Sequence, residues 1–270
     1  MKKYLFLLAF FASILLAQEV KNGKTLILAF PSSQEGYILW GEKQFPLVAH
    51  PKDEELKIAF IPIDYKSKKG HTTLLHVDGF KQTPLALSIV DGNYAQETLH
   101  VESSKAQPSA EQKAKVAQEY QEAMAIYGTI TPKRYWSEPF EKPINSHITS
   151  VFGNARVFNG TLKSFHSGVD FRAYIGTPIV AVNDGVVVLA KERFYAGNSV
   201  IIDHGEGIYS CYYHLSKIDV KVGEKIQKNQ KIGLSGDTGR VSGPHLHFAM
   251  MVLGVQIDPL DFLTQINTLF

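Results

Sequence analysis

HLHFAMMV, residues 245–252, is apolar at every position but two, and the exceptions are histidines spaced two apart. The run has strand length, and residues two apart on a strand face the same way, so His245 and His247 project into one space. Upstream, HSGVD places His166 and Asp170 four apart, and Gly168 and Val169 between them disfavour a helix. A turn into a strand is the expected carrier. His214, in YYHL, lies between the two motifs. Two imidazoles and one carboxylate form a donor set for a catalytic zinc ion, because they leave the fourth tetrahedral position to water.

The stretch around these motifs is strand-rich. HITSVFG, PIVAV, GVVVLAKE, NSVIIDH, GIYSCYYHL and KIGLSG are divided by Gly, Asp and Asn turns, and helical periodicity is nearly absent before residues 259–270. The site residues are therefore expected on a mostly antiparallel sheet. Cys211 is the only cysteine, so no disulfide within the chain holds the fold. It stands out of phase with His214, which on an unbroken strand sends the two side chains to opposite faces, and it reads as a buried structural thiol.

Residues 18–102 carry a second series of short β-branched and aromatic runs, from TLILAF to ETLHV, at a spacing that predicts an antiparallel sandwich or small barrel. Its His50, His71, His76 and His100 have no mutual ligand spacing. At Ser103 the composition turns to Ala, Glu, Gln and Lys. Ser109 and Gln112 form a capping-box pattern for a helix ending near Tyr127 and Gly128, with Val116, Tyr120, Met124 and Tyr127 as its packing face. Thr129 to Asn145 reads as an irregular, aromatic-rich strap. The expected class is mainly β: an accessory β domain over 18–102, a linker helix and strap over 103–146, a zinc-binding domain over 147–263 and a tail over 264–270.

MKKYLFLLAFFASILLA, residues 1–17, has the layout of a secretory signal: Lys2 and Lys3, an apolar run, then a small residue. The run is short for a spanning helix, and an uncleaved anchor is the alternative. Removing it takes the basic count from 28 to 26 against 26 acids, so the mature chain is near neutral. Nucleic acid is excluded as a partner class, and no membrane contact is expected after cleavage. Nothing in the sequence speaks to oligomeric state.

SFHSGVDF, NSVIIDHGEGIYSCYYHLS, VGEKIQKNQKIGLSGDTGRVSGPHLHF and DPLDF together resemble the LytM or lysostaphin-type zinc metallopeptidases, the M23 class of peptidoglycan-cutting enzymes. The resemblance covers roughly Ile148 to Phe262. It implies His166, Asp170 and His247 as ligands of Zn2+ and His214 and His245 as catalytic histidines that bind no metal. It also implies a β-sheet groove with peptidoglycan peptides as substrate, in an exported, periplasmic setting. The expected activity is hydrolysis of stem or cross-link amides, as a D-alanyl-diaminopimelate endopeptidase, a carboxypeptidase, or both. The alternative is a non-catalytic relative that binds the wall or activates an amidase.

The chemistry also stands without the family. Zinc beside one carboxylate keeps a net positive charge and lowers the pKa of a bound water toward about 7. No His-Glu-x-x-His signature is present, so His214 and His245 are the candidates to take the water's proton and stabilise the oxyanion. Among lesser residues, Arg156 is read as a structural arginine, with a substrate carboxylate as its other candidate partner. His204 is assigned to a hairpin turn, and Asn198, Ser210 and Tyr212 to the groove lining. The strap, or a loop of the β domain, is a candidate cover for the zinc.

Overall fold

The computed structural model describes residues 17–99, 109–158 and 162–270. The leader over residues 1–17 falls, save Ala17, outside the described residues, as do His100 and the start of the linker. No helix among the described residues is long and apolar enough to cross a membrane.

The accessory domain holds β1 (Gln18–Lys21), β2 (Thr25–Pro31), β3 (Tyr37–Trp40), β4 (Lys43–Pro46), β5 (Val48–Ala49), β6 (Leu56–Pro62), β7 (Gly70–Asp78), β8 (Lys81–Val90) and β9 (Gln96–Leu99). The first eight make a five-stranded sheet in the order β1-β8-β7-β3-β4 and a three-stranded sheet, β2-β6-β5. Alternation along the strands sends Phe30, Ile38, Ile61, Leu74 and Leu87 into one core, as the sandwich expectation requires. β1 pairs β8 in parallel, the exception to the antiparallel pattern within these two sheets.

The linker forms α1 (Ala110–Tyr127), with the Ser109/Gln112 capping box in place and Gly128 at its C-cap. Its inward face differs from the expected one. Glu119, Ala123 and Tyr127 are buried, while Tyr120 and Met124 face outward. The reason is polar: the Glu119 carboxylate accepts from the Phe194 N–H at 3.0 Å, and Arg193 donates to the Glu119 carbonyl at 3.0 Å. These bonds set a rotation that hydrophobic periodicity alone does not encode.

The remainder holds β10 (Ile148–Ser150), β11 (Ala155–Phe158), β12 (Leu162–Phe165), β13 (Val169–Arg172), β14 (Pro178–Val180), β15 (Gly185–Arg193) and β16 (Gly197–Gly205). β17 (Ile208–Ile218), β18 (Lys225–Ile226), β19 (Lys231–Ser235), β20 (His245–Val252), β21 (Val255–Ile257) and α2 (Pro259–Asn267) complete it. The main sheet runs β10-β13-β20-β17-β16-β15-β18 and is antiparallel along that path. One face buries Val200, Tyr212, Leu215 and Phe248 against Phe262 of α2. The other face packs Cys211, Ala249 and Met251 against Tyr127 of α1.

Several contacts join the halves. Ile58 and Phe60 of β6 enter the larger core, and β9 pairs in parallel with β11. The strap completes that core too, because Trp136 and Phe140 are buried in it and the Tyr135 N–H donates to the His204 carbonyl at 3.0 Å. Truncating a buried aromatic of this kind costs about 3–5 kcal/mol.

His204 does not form the turn. Glu206 and Gly207, both at positive φ, make the two-residue connection from β16 to β17. His204 is instead fully buried, with Nδ1 2.6 Å from the Asp184 carbonyl and Nε2 2.7 Å from Ser210 Oγ. Burial lowers its pKa to about 4, against the partial compensation of Asp184. The folded pKa lies below the unfolded one, so the associated stability is present above about pH 6.5 and is lost as pH falls toward 4. Urea unfolding of the metal-free chain across this window is expected to lose up to about 3 kcal/mol more in wild type than in His204→Gln. Parallel pH profiles for the two chains would refute the assignment.

Candidate active site

Strand register assembles the site. Asp170 on β13 stands opposite His247 on β20, and Arg172 opposite His245. Opposed residues on one sheet face have Cβ atoms about 4.5–5.5 Å apart, so the pairing puts carboxylate and imidazole within reach of one ion. His166 arrives from the turn between β12 and β13. A Cβ on Gly168 would lie 2.4 Å from the Phe248 carbonyl oxygen and 2.6 Å from His247 Nε2, so only glycine lets this turn pass so close to β20.

The donor atoms form a tight triangle. His166 Nε2 is 2.9 Å from Asp170 Oδ1 and 3.0 Å from His247 Nδ1, and the third side measures 2.8 Å. No other cluster of three or more such donors occurs among the described residues. His166 Nδ1 lies 2.8 Å from the Val151 carbonyl, which can only accept, so Nδ1 carries the proton and the Nε2 lone pair faces the other donors. That is the tautomer of a metal ligand held by an outer hydrogen bond, and the N2O set fits zinc. Burial pushes the Asp170 carboxyl up, but the two imidazoles beside it outweigh this and hold it well below the usual range.

Arg156 belongs to this arrangement. Its Nη2 donates to Asp170 Oδ2 at 2.9 Å and to Ser150 Oγ at 3.1 Å, and Ser150 Oγ lies 3.0 Å from His166 Nδ1. The carboxylate it meets is therefore that of Asp170, a donor of the triangle. On the far side of His247 the Tyr213 ring stacks at 5.6 Å and 19°, and its hydroxyl lies 3.1 Å from that of Tyr127 on α1.

His214 and Cys211 do not face opposite ways. Residues 213 and 214 together oppose Ser199, a bulge between the Asn198–Leu215 and Val200–Tyr212 pairs, and His214 has φ 63°. The extra residue breaks the alternation and swings His214 onto the face of Cys211 and Tyr213. A non-glycine residue in this conformation costs about 1 kcal/mol, borne by bonds from His214 N to the Ala196 carbonyl at 2.9 Å and from Nδ1 to the Thr238 carbonyl at 2.8 Å. His245 Nδ1 is likewise bonded to the Gly243 carbonyl at 2.8 Å, and the two rings lie 4.9 Å apart. Both imidazoles thus carry the proton on Nδ1 and keep Nε2 as an acceptor. Burial first, then the neighbouring histidines, lowers the His214 pKa to about 3. His245 Nε2 stands 3.6 Å from Asp170 Oδ1, beside the triangle.

A cavity of about 470 Å³ opens over these groups. Asn198, Ser210 and Tyr212 are not in its wall. Tyr212 is fully buried in the core, with its hydroxyl on the Val182 N–H and 2.9 Å from Ser210 Oγ. Tyr195 and Arg240 are wall residues that the motif reading passed over, although Arg240 sits within GDTGRVSGPHLHF. Cys211 is buried beside Tyr127, 3.3 Å away, and burial pushes its thiol up. Among the described residues, nothing from the strap or the β sandwich lines the cavity, so the expected cover is not found there.

Replacing Arg156 frees the Asp170 carboxylate to rotate out of the triangle. Arg156→Gln is expected to weaken zinc binding by about tenfold or more in a chelator competition. An unchanged dissociation constant would show that Arg156 does not position the ligand.

The peptidase family M23 model matches residues 164–259, which hold all three triangle residues and both acceptor histidines. The peptidoglycan DD-endopeptidase ShyA of Vibrio cholerae is 50% identical over 121 residues, 44% of this chain. The chain covers 28% of ShyA, well under two thirds of that relative's length. The catalytic domain of lysostaphin from Staphylococcus simulans is 38% identical, and the chain covers 93% of it with 44% of its own length, at a TM-score of 0.41. The crystal structure of a peptidase M23 protein from Pseudomonas aeruginosa matches 88% of this chain and 92% of its own at a TM-score of 0.68 and 26% identity, so its likeness extends through the accessory domain. With the donor triangle and both acceptor histidines inside the matched stretch, residues 164–259 form a peptidase family M23 domain.

Proposed function

We propose that this protein is a zinc-dependent peptidase that hydrolyses amide bonds in the stem peptides or cross-links of peptidoglycan. One observation carries the reading: three buried donors within 3.0 Å of one another, with two further imidazoles beside them at the floor of an open cavity. A structural zinc site closes its coordination with a fourth protein ligand, whereas this donor set leaves a position for water. The name of ShyA supports a peptidoglycan substrate. The N-terminal leader supports export to the periplasm, with the D-alanyl-diaminopimelate bond or a terminal D-alanine as the target.

Bound zinc supplies a Lewis acid for the scissile carbonyl and lowers the pKa of a water toward about 7. His166, Asp170 and His247 would hold it, with the His166 tautomer set by Val151 and the carboxylate rotamer by Arg156. The Nε2 atoms of His214 and His245 are the groups that accept the water's proton and, once protonated, donate to the developing oxyanion or the leaving amine. Their orientations are set beforehand by Thr238 and Gly243, so little reorganisation accompanies the reaction.

Purified mature protein is expected to shorten stems or open cross-links in intact peptidoglycan, read by mass analysis of released muropeptides. The products should disappear with a chelator and in His247→Ala, and His214→Ala should keep zinc while losing at least about a hundredfold in turnover. No product from zinc-loaded protein would favour a binding or activating role instead.

A further inference from the structure

The cavity carries an arginine that the metal triangle does not use. The Arg240 guanidinium lies 4.1 Å over the Tyr195 ring, and the Arg240 N–H donates to the Tyr195 carbonyl at 2.8 Å. Its loop is pinned. A Cβ on Gly239 would meet Gly197 N at 2.4 Å, so the two backbones are in direct contact. Thr238 Oγ1 accepts from the Asn198 N–H at 2.9 Å and donates to the Leu215 carbonyl at 2.8 Å. The Thr238 carbonyl holds His214, so Arg240 and a catalytic histidine share one rigid wall. On its other flank, Glu119 of α1 fixes the Phe194 N–H next to Tyr195.

Charge gives this wall a preference. Among the described residues lining the cavity, the arginines and carboxylates are Arg156, Arg240 and Asp170, and Asp170 is engaged by the triangle and by Arg156. Burial lowers the pKa of Arg240, Tyr195 opposes this, and the charge of Arg156 lowers it further, so the two guanidinium groups repel each other across the cavity. Counted over these described residues, two guanidinium groups stand against one carboxylate before any metal enters, and a bound divalent ion adds to the positive side. A substrate group that settles here gains most if it is an anion. A planar guanidinium fork on a fixed loop suits a carboxylate in two-point contact.

We propose that Arg240 is a specificity-determining residue that binds a carboxylate of the substrate peptide close to the scissile bond. The proposal rests on the peptidase reading and deepens it, because it makes an anionic stem peptide the preferred substrate class. Two carboxylates share this chemistry, the α-carboxylate at a peptide terminus and the side-chain carboxylate of a diamino acid in the stem.

The test uses the zinc-loaded full chain and synthetic stem peptides in three forms: both carboxylates free, the terminal one amidated, or the side-chain one amidated. Wild type is expected to lose at least about tenfold in kcat/KM with one of the two amides, which identifies the carboxylate bound. Arg240→Gln should lose a similar factor on the free peptide and become indifferent to that amidation, and Arg240→Lys should recover part of the difference. Zinc content and thermal midpoint are compared across variants, and if Arg240→Gln fails to fold the wild-type amide series still decides. Cleavage of all three peptides within about twofold by wild type, or an amide penalty that survives in a folded Arg240→Gln, overturns the proposal while leaving the peptidase reading in place. No cleavage of any peptide by the zinc-loaded wild type overturns both.

Discussion

The site depends on the antiparallel register of β13 and β20. It puts Asp170 opposite His247, and a slip of one residue would send every side chain of one strand to the other face. That register is secured by what lies behind it. Val169 and Phe171 on β13, with Leu246 and Phe248 on β20, alternate with the ligands and are buried in the larger core. The hydrophobic effect sets the pairing, and Asp170 and His247 share a face because their apolar neighbours share the opposite one. The cost is a cluster of nitrogen and oxygen donors held within 3.0 Å of one another, which a shared cation relieves.

Around the triangle, packing and hydrogen bonding work toward orientation. Val151 sets the His166 tautomer, Arg156 the Asp170 rotamer and Tyr213 the plane of His247. The linker helix reaches the same assembly twice, through Tyr127 at Tyr213 and through Glu119 at the turn that carries Tyr195. β9 of the accessory domain pairs with β11, in register with Arg156 opposite Glu97. The parts outside the matched domain therefore act as a support built onto the site. Trp136 and Phe140 of the strap do the same for the core beneath it.

Sequence reasoning fails for a physical reason at several places. Strand alternation assumes an unbroken ladder, and it placed His214 opposite Cys211 because no residue type announces a bulge at 213–214. Hydrophobic periodicity assumes that apolar residues choose the helix face. In α1 a buried glutamate with backbone N–H partners chose it instead, leaving Tyr120 and Met124 in solvent. The groove lining expected of Ser210 and Tyr212 failed similarly, because their hydroxyls bond to each other and to the Val182 backbone inside the core.

By itself the sequence determined the mainly β class, the capped linker helix and the sandwich ahead of it, and it singled out five residues that the fold gathers in one place. Each of these is written in local pattern: period two along strands, a capping box, and spaced histidines and aspartate in ordered motifs. Only the tertiary structure decided which surfaces meet. It brought Arg156 to the ligand carboxylate, rotated His214 through a bulge, turned the strap into core and stood Arg240 on Tyr195 above the cavity. These are contacts between residues far apart in the chain, and their energies come from burial and charge in a shared space that no local pattern encodes.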